Sequence, residues 1–215
     1  MKKGLFITFE GNEGSGKTTV LHRVVEMFKK EYIDIFITRE PGGNKIAEEI
    51  RNVILDNKNT EMDSKTEALL YAAARRQHLV QTVTPLLNEG KIVISDRYID
   101  SSLAYQGYAR GVGIDDVYKI NMFATDNCLP QLTLFFDIDP DTGLERIAEN
   151  SQREVNRLDN EQIEFHRRVH MGYMLLVDKF KDRFVIVDAS KDIETVTQQV
   201  YQILKDYILK KWTDC

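Results

Sequence analysis

Apolar residues along the chain fall into short runs that alternate with longer amphipathic segments. Five runs have the length and the β-branched or aromatic content of strands: 5–9, 33–38, 92–94, 132–136 and 184–187. Between these runs, apolar positions recur every three or four residues, as from Val20 to Phe28 and from Val196 to Ile208. Strands that alternate with helices predict an α/β fold, in which helices cover both faces of a five-stranded parallel sheet.

The periodicity also predicts where the larger helices begin and end. The longest is expected from about Thr66 to Asn88, with Gly90 as its C-terminal cap, and another is expected over 115–125. Residues 101–113 are rich in glycine, serine and tyrosine, so we interpret them as a loop or the start of a short helix.

The first strand leads into a sequence that fits G-x-x-x-x-G-K-[ST], the phosphate-binding loop of P-loop NTPases. Glycines allow the backbone N–H groups to turn inward around an anion, and the following helix adds its positive dipole end. Lys17 can reach the β- and γ-phosphates, and the Thr18 hydroxyl can ligate Mg²⁺. The predicted ATP-binding residues are Gly11, Asn12, Glu13, Gly14, Ser15, Gly16, Lys17, Thr18 and Thr19.

The composition argues against several classes of protein function. The length of 215 residues suits one domain, 1–215, and 42% hydrophobic residues are typical of a globular protein. A net charge of −5 argues against a general nucleic-acid binder. Cys128 and Cys215 have no metal-ligand spacing, and no stretch approaches a membrane-spanning length. We therefore expect a cytoplasmic protein that binds neither nucleic acid nor membrane.

In a parallel α/β sheet, ligands bind beyond the carboxyl ends of the strands. Arg39-Glu40-Pro41 follows the second strand and Asp96-Arg97-Tyr98 follows the third. Asp96 is predicted to hold Mg²⁺ through water, together with Thr18, and Arg97 offers a bidentate fork for a phosphate. An acid inside the phosphate loop is unusual, and we expect Glu13 to face a metal-bound water or a sugar hydroxyl.

Four stretches together resemble the thymidylate kinases of the bacterial type, which convert dTMP to dTDP. In addition to the phosphate loop, these four are the Arg-Glu-Pro turn, Tyr71-Ala-Ala-Ala-Arg75, the Asp-Arg-Tyr strand end, and Ser102-Leu-Ala-Tyr-Gln-Gly107. The resemblance covers essentially the whole chain. It implies a P-loop kinase with ATP and Mg²⁺, dTMP as acceptor, and a homodimer. The apolar helix faces near Leu69, Leu70 and Leu79 fit either the dimer interface or the buried core.

The resemblance also implies roles for individual residues. Tyr71 stacks on thymine, where the family usually has phenylalanine, and Arg75 donates to thymine O4. Ser102 and Gln106 provide hydrogen-bond donors and acceptors for thymine N3–H and the neighbouring atoms. Tyr105 leaves no room for a ribose 2′-hydroxyl. Arg51 and Arg97 clamp the dTMP phosphate. The predicted substrate-binding residues are Glu40, Pro41, Arg51, Tyr71, Arg75, Arg97, Ser102, Tyr105, Gln106 and Tyr173.

The resemblance also implies a short helical lid that closes over the triphosphate and brings an arginine to it, and the charged stretch at about 143–160 is the expected lid. The variable positions of the phosphate loop carry no cation, so an arginine from the lid is expected at the transferring phosphoryl group. Arg153 and Arg157 are the predicted sources, with Arg146 also in the stretch, and the choice among them stays open. Lys17 and Arg97 complete the predicted catalytic set. Adenine is expected near Ser190.

Other functions fit less well. A kinase for another nucleotide shares most of these features, whereas a nucleoside kinase needs a carboxylate to deprotonate the 5′-hydroxyl. A GTPase switch would carry N-K-x-D and D-x-x-G motifs, and neither is present. His166 and His170 are four residues apart, but the H-E-x-x-H zinc signature is missing, and we interpret them as surface histidines.

Overall fold

The structure, a computed structural model, describes residues 4–149, 157–158 and 161–213. Its sheet has five strands, and every adjacent pair is parallel, in the order β2-β3-β1-β4-β5. The strands are β1 (Leu5–Gly11), β2 (Ile35–Arg39), β3 (Ile92–Asp96), β4 (Leu132–Asp137) and β5 (Phe184–Asp188). This arrangement confirms the predicted fold class.

Helices lie between the strands. In the part of the chain that the structure describes, they are α1 (Lys17–Lys30), α2 (Lys45–Leu55), α3 (Ser64–His78), α4 (Thr84–Asn88), α5 (Ile99–Ser102), α6 (Ile114–Thr125), α7 (Pro140–Glu149), α8 (Ile163–Lys179) and α9 (Ile193–Thr213). Two π-helical segments, Leu79–Val83 and Leu103–Ala109, follow α3 and α5.

The sheet separates two apolar cores because successive side chains of a strand point to opposite faces. On β1, Ile7 and Phe9 belong to the core beneath α1 and α9, whereas Phe6 belongs to the core beneath α3, α6 and α8. Both faces of β1 are therefore buried, as expected for the central strand of a parallel sheet. Within the described residues, no helix is both long enough and apolar enough to span a membrane.

The strand register places the predicted chemistry at one edge of the sheet. Phe9 of β1 lies beside Asp96 of β3, and Asp96 lies beside Arg39 of β2. The chain then leaves β1 into the phosphate loop and leaves β2 and β3 into the Arg-Glu-Pro and Asp-Arg-Tyr segments. These segments meet because all strands end at the same edge.

The long predicted helix exists, but it contains a wider turn. It begins at Ser64, where the Asp63 carboxylate caps the first turn, and Gly90 closes it with a φ of 78°. The π-helical turn at 79–83 ends two residues before Pro85. Proline has no N–H for the residue four positions before it, and its ring crowds that residue's carbonyl, so a wider turn relieves both problems.

Two sequence-based interpretations on the α8 side are corrected. The segment 101–113, interpreted as a loop or short helix start, is largely helical, with the π-helical segment buried against α8. His166 is not a surface residue, because only 2% of it is exposed. His170 is half-buried, and its Nε2 lies 2.7 Å from an Asp137 carboxylate oxygen. The buried face of α8 thus includes His166 and part of His170.

Candidate active site

The phosphate loop takes a conformation that only glycine adopts readily. Gly11, Gly14 and Gly16 all have positive φ angles, of 144°, 73° and 80°. A Cβ on Gly11 would lie 2.6 Å from the Phe136 carbonyl oxygen, so a side chain there is also excluded by space. Helix α1 begins directly after the loop, which points its first N–H groups at the loop's interior.

The Lys17 ammonium group lies inside this loop. It donates to the Gly11 and Asn12 carbonyl oxygens at 3.0 and 2.8 Å, and to the Ser15 hydroxyl at 3.0 Å. Burial, followed by the nearby Arg97 cation, lowers the pKa of Lys17 to about 8. The positive charge is therefore poorly compensated by the protein, and a bound phosphate would supply the missing anion.

Oxygen ligands suited to Mg²⁺ lie at the mouth of the loop. The Thr18 hydroxyl donates to Asp96 Oδ2 at 2.6 Å. One hydroxyl and one carboxylate, with room for phosphate oxygens and waters, are the hard ligands that Mg²⁺ takes. The described residues contain no cluster of three or more acidic, histidine or cysteine side chains, so water and phosphate would complete the coordination.

Glu13 has protein partners on the acceptor side of the loop. Its Oε1 lies 2.6 Å from Arg97 Nη2 and accepts a hydrogen bond from the Tyr105 hydroxyl at 3.2 Å. The Arg97 guanidinium also lies over the Tyr105 ring, 5.2 Å from its centre. Glu13 thus joins the phosphate end of the site to the residue predicted to exclude ribose, which fits a position beside the sugar.

A cavity of about 210 Å³ extends from Thr18 and Asp96 to the far wall beneath α3. It is lined by residues of the loop, the strand ends, α2, α3 and the π-helical segment after α5. These are Glu13, Thr18, Arg39, Glu40, Pro41, Arg51, Leu55, Tyr71, Arg75, Asp96, Arg97, Tyr98, Ser101, Tyr105, Gln106 and Leu158. Most residues predicted to bind the acceptor therefore share one cavity, which opens toward the phosphate loop.

Cations mark the cavity's phosphate end. Arg97 has a φ of 70°, in the left-handed region, and its Nη1 donates to the Gly11 carbonyl oxygen at 2.9 Å. Arg51 reaches across from α2 and donates to the Pro41 carbonyl oxygen at 3.2 Å. Arg39 donates to the same oxygen at 2.8 Å. Pro41, which follows a cis peptide bond, therefore holds two arginines beside Arg97.

The opposite end contains a buried network centred on Arg75. Its Nε donates to Glu40 Oε2 at 2.7 Å, Nη1 to Ser102 Oγ at 3.0 Å and to Asn121, and Nη2 to the Tyr98 carbonyl at 2.9 Å. These contacts use four of the five N–H donors of an arginine, which leaves one for a ligand in the cavity.

The Glu40 carboxylate continues the network away from the cavity. Its second oxygen lies 2.8 Å from His78 Nδ1, and His78 Nε2 lies 2.6 Å from the Thr38 hydroxyl. Arg75, Glu40 and His78 are each at most 5% exposed. Arg75 is therefore held rigidly, as its predicted role as a donor to the base requires.

Two residues that share the cavity complete its base end. Tyr71 presents its ring on α3, one helical turn before Arg75, and the Gln106 amide donates to Glu67 Oε1 at 2.8 Å. Glu67 is itself buried and also contacts Arg110 and Arg157. The ring and the fixed amide provide stacking and hydrogen bonding for a planar base.

Two predicted substrate-binding residues, Ser102 and Tyr173, do not line the cavity. Ser102 is buried behind Arg75 and accepts its hydrogen bond, as described above. The Tyr173 hydroxyl donates to Glu10 at 2.9 Å and accepts from Arg97 Nη1 at 3.2 Å. The structure therefore places both one layer behind the wall, because α8 and α5 pack against the back of the site.

The predicted lid arginines fall in different places. Arg153 lies outside the described residues. Arg157 is buried, with its Nε 3.0 Å from the Ile54 carbonyl oxygen and its guanidinium on Glu67, so the structure places it near the base end of the cavity. Arg146 of α7 donates to the carbonyl oxygens of Ala189 and Ser190 at 2.9 and 3.1 Å.

Arg146 closes a second cavity, of about 300 Å³, beside the phosphate loop. It lies between Gly14–Gly16, the turn after β5 and the start of α9, and Lys191 and Ile193 are among its lining residues. The turn at Ser190 that we predicted for adenine thus adjoins the loop, on the side away from the acceptor cavity.

Sequence reasoning missed several buried polar residues that hold the site together. They are Glu10, Glu67, His78 and Asn121, all at most 1% exposed. One signal was available: a glutamate within the apolar run Leu5–Glu10 is costly unless it is paired. Burial, followed by Asp100, raises the pKa of Glu10 to about 7, against hydrogen bonds and charges that lower it.

Comparison with known proteins agrees with this geometry. A family model described as thymidylate kinase matches residues 9–200. A thymidylate kinase of Geobacillus sp. (strain WCH70) is 52% identical over 206 residues, which cover 96% of this chain and 98% of the relative. One from Oceanobacillus iheyensis is 54% identical over 208 residues, covering 97% and 92%.

A solved structure is also similar. The crystal structure of thymidylate kinase from Ehrlichia chaffeensis superposes with a TM-score of 0.76 at 33% sequence identity, and it covers 94% of this chain and 99% of that chain. Sequence and fold therefore agree over nearly the full length.

Proposed function

The chain belongs to the thymidylate kinase family, and we propose that it transfers the γ-phosphoryl group of ATP to dTMP, forming dTDP and ADP for dTTP synthesis. The observation that carries the proposal is the junction of the two halves of the site. The phosphate loop, with Lys17, opens into a cavity whose near end holds Arg97 and whose far end holds Arg75, Tyr71 and Gln106.

The reaction requires alignment and charge neutralisation more than covalent help. An oxygen of the dTMP phosphate forms the new bond to the γ-phosphorus, and the bond to the β–γ bridging oxygen breaks, so that ADP leaves. The attacking oxygen is already anionic at neutral pH, and no general base is needed. Lys17 and the loop N–H groups hold the β- and γ-phosphates, while Arg97, with Arg51, holds the acceptor phosphate in line.

Mg²⁺ fits the Thr18 and Asp96 oxygens, which would hold it beside the triphosphate with Glu13 facing a bound water; when present, it neutralises charge on the transferred group. The remaining positive charge comes from the chain itself. An arginine of the 143–160 lid is proposed to meet the phosphoryl group, with Arg153 and Arg157 as the candidates. Because Arg157 contacts Glu67, it would have to leave that carboxylate to act there.

The lining of the acceptor cavity supports dTMP as the acceptor. We propose that Tyr71 stacks on thymine and that Arg75 and Gln106 donate to its polar edge, with Ser102 acting through Arg75. Tyr105, whose hydroxyl is held by Glu13, would lie where a 2′-hydroxyl projects. Glu40 and Pro41 contribute by fixing Arg75, Arg39 and Arg51.

A homodimer in the cytoplasm, with no nucleic-acid or membrane partner, completes the proposal for residues 1–215 as one kinase domain. Helices α3 and α6 pack together and expose Leu69, 56% accessible, and Phe123, 88% accessible. Large apolar side chains at such exposure favour burial in an interface. Leu79, for which the sequence left interface and core open, belongs to the core, at 2% exposure.

A coupled assay of ADP release tests the function. Purified protein is mixed with ATP, Mg²⁺ and dTMP, dUMP, dCMP, dAMP or dGMP in turn, with thymidine as a nucleoside control. We expect turnover led by dTMP and none with thymidine. Turnover led by another monophosphate would contradict the roles of Tyr71, Arg75 and Gln106, and turnover of thymidine would contradict that of Arg97.

A further inference from the structure

A carboxylate that no proposed step uses lies directly behind the phosphate end of the acceptor cavity. Glu10 is the penultimate residue of β1, and its side chain is fully buried. A buried acid is costly unless specific donors surround it. Here three donors do so: the Tyr98 backbone N–H at 2.8 Å, the Ser101 hydroxyl at 2.6 Å and the Tyr173 hydroxyl at 2.9 Å.

Both hydroxyls also contact Arg97. Nη1 of Arg97 lies 3.1 Å from Ser101 Oγ and 3.2 Å from the Tyr173 oxygen. A hydroxyl has one hydrogen, so an O–H that donates to Glu10 presents only lone pairs to the guanidinium. The carboxylate therefore directs lone pairs of both hydroxyls, which lie 2.9 Å from each other, toward Nη1, whose two hydrogens they share with the Gly11 carbonyl oxygen.

The third donor fixes the backbone at the same place. Arg97 is held in the left-handed region, with a φ of 70°, which is unfavourable for a residue with a side chain. The Arg97 N–H donates to the Phe9 carbonyl at 2.9 Å, and the next N–H, that of Tyr98, donates to Glu10. The end of β1 thus holds Arg97 from both its backbone and its side chain.

We propose that Glu10 is a positioning residue for acceptor binding, which holds Arg97 toward the dTMP phosphate through Ser101, Tyr173 and the Tyr98 amide. This inference rests on the proposed role of Arg97 as a ligand of that phosphate. Glu10 itself contacts neither nucleotide. Its effect is on the geometry of the acceptor site, because the three donors that it accepts from lie outside the phosphate loop.

The test is steady-state kinetics of Glu10→Gln with dTMP and ATP varied separately. The Tyr98 N–H can only donate, so the amide oxygen faces it and the NH₂ group faces the two hydroxyls. Both hydroxyls must then accept from residue 10, and their lone pairs are no longer directed at Arg97. We expect kcat/KM for dTMP to fall about 10- to 100-fold, as for a lost hydrogen bond to a charged group, with the KM for ATP within about twofold.

Asp100→Asn is the matched control for removing a buried carboxylate. Asp100 is also fully buried, but it pairs with Arg183, at 2.7 Å, rather than with Arg97. We expect it to lower the thermal midpoint at least as much as Glu10→Gln while leaving the KM for dTMP within about twofold. An equal rise in this KM for both variants would overturn the proposal, because general destabilisation would then explain the effect.

Ser101→Ala and Tyr173→Phe keep the proposal testable if Glu10→Gln does not fold. Each removes one link to Arg97, and each is expected to raise the KM for dTMP about threefold. An unchanged KM in both variants would overturn the proposal. In the folded case, Tyr173→Phe combined with Glu10→Gln should add little to Glu10→Gln alone, since both break the same connection.

The variant Arg97→Lys distinguishes a failure of the positioning role of Glu10 from a failure of the proposed role of Arg97. No turnover of dTMP by the unaltered protein would contradict the proposed function. An unchanged KM for dTMP in Arg97→Lys would contradict the role of Arg97. A raised KM in Arg97→Lys with an unchanged KM in Glu10→Gln would contradict the positioning role alone.

Discussion

The phosphate loop and the base end of the acceptor cavity are both built around a buried cation, but they hold it differently. Lys17 is bonded to atoms two to six residues away along the chain. Arg75 is bonded to residues 23 to 46 positions away, on four other segments. The first site is local in sequence, whereas the second exists only when the fold is complete.

The partners differ in charge as well as in distance. Lys17 contacts neutral carbonyl and hydroxyl oxygens, and burial lowers its pKa. Arg75 contacts the Glu40 carboxylate and three neutral acceptors. A buried cation with only neutral partners favours the binding of an anionic ligand. A buried cation with a carboxylate partner already has its charge neutralised by the protein. The loop is thus prepared for a charged ligand, and the base end for a neutral one.

Removal of Lys17 should therefore reduce activity without reducing stability, whereas removal of Arg75 should reduce stability. Lys17→Met is expected to reduce kcat by about 10³-fold or more, since a charge at the transferring phosphoryl group is lost. The free energy of unfolding should not fall, because the variant removes a buried charge with no carboxylate partner of its own. Urea denaturation and ADP release measure the two quantities, and a clear loss of stability would contradict this comparison.

Arg75→Met is expected to lower the free energy of unfolding by about 3–5 kcal/mol, since it leaves the Glu40 carboxylate buried beside His78 alone. Its neighbour Arg76 provides the matched control. Arg76 pairs with Asp126 at the surface, where both side chains are exposed. Arg76→Met should cost at most about 1 kcal/mol in the same urea experiment. Similar losses of unfolding free energy in the two variants would show that the buried Arg75 network contributes no more stability than a surface ion pair.

The pH dependence of ATP binding tests whether the pKa of Lys17 is lowered in the phosphate loop. In the empty loop the pKa of Lys17 is about 8, and bound phosphates raise it because they favour the charged form. Affinity is then fully present below pH 8 and declines as pH rises through that value. We expect the KM for ATP to rise several-fold between pH 7.5 and 9.5, with the KM for dTMP as an internal comparison. A flat profile for ATP would contradict the lowered pKa.

Tyr105→Ala tests the sugar position. Removing the ring opens space next to Glu13, so the ratio of kcat/KM for the ribose analogue to that for dTMP should rise about tenfold. Absolute turnover of dTMP is also expected to fall, because the ring contacts Arg97. The ratio is the quantity to measure, and an unchanged ratio would remove the proposed role of Tyr105.

The local half of the site could be predicted from sequence because its geometry is encoded by consecutive residues. Glycines at 11, 14 and 16 permit positive φ angles, and the lysine and threonine follow at fixed spacing. The family resemblance extended this to Tyr71, Arg97, Tyr105 and Gln106, which do line one cavity. Their individual roles stay predictions, as do the dimer and the lid.

The polar layer behind the wall could not be predicted in this way. His78 and Asn121 are distant in sequence, and each is ordinary for its own element. Ser102 and Tyr173 are polar residues near the site, but packing of α5 and α8 places them behind Arg75 and Arg97. The histidines of α8 were misjudged for a related reason: helical periodicity gives the faces of a helix, but neighbours decide which face is buried.

The sequence by itself determined the alternation of strands and helices, the phosphate loop and the edge of the sheet where ligands bind. These follow from local backbone preferences and from a repeating apolar pattern. Only the tertiary structure decided which polar side chains are buried together and which of them reach the cavity. Burial turns ordinary polar residues into obligatory partners, since each must find a donor or acceptor, and these partners come from segments up to 163 residues apart.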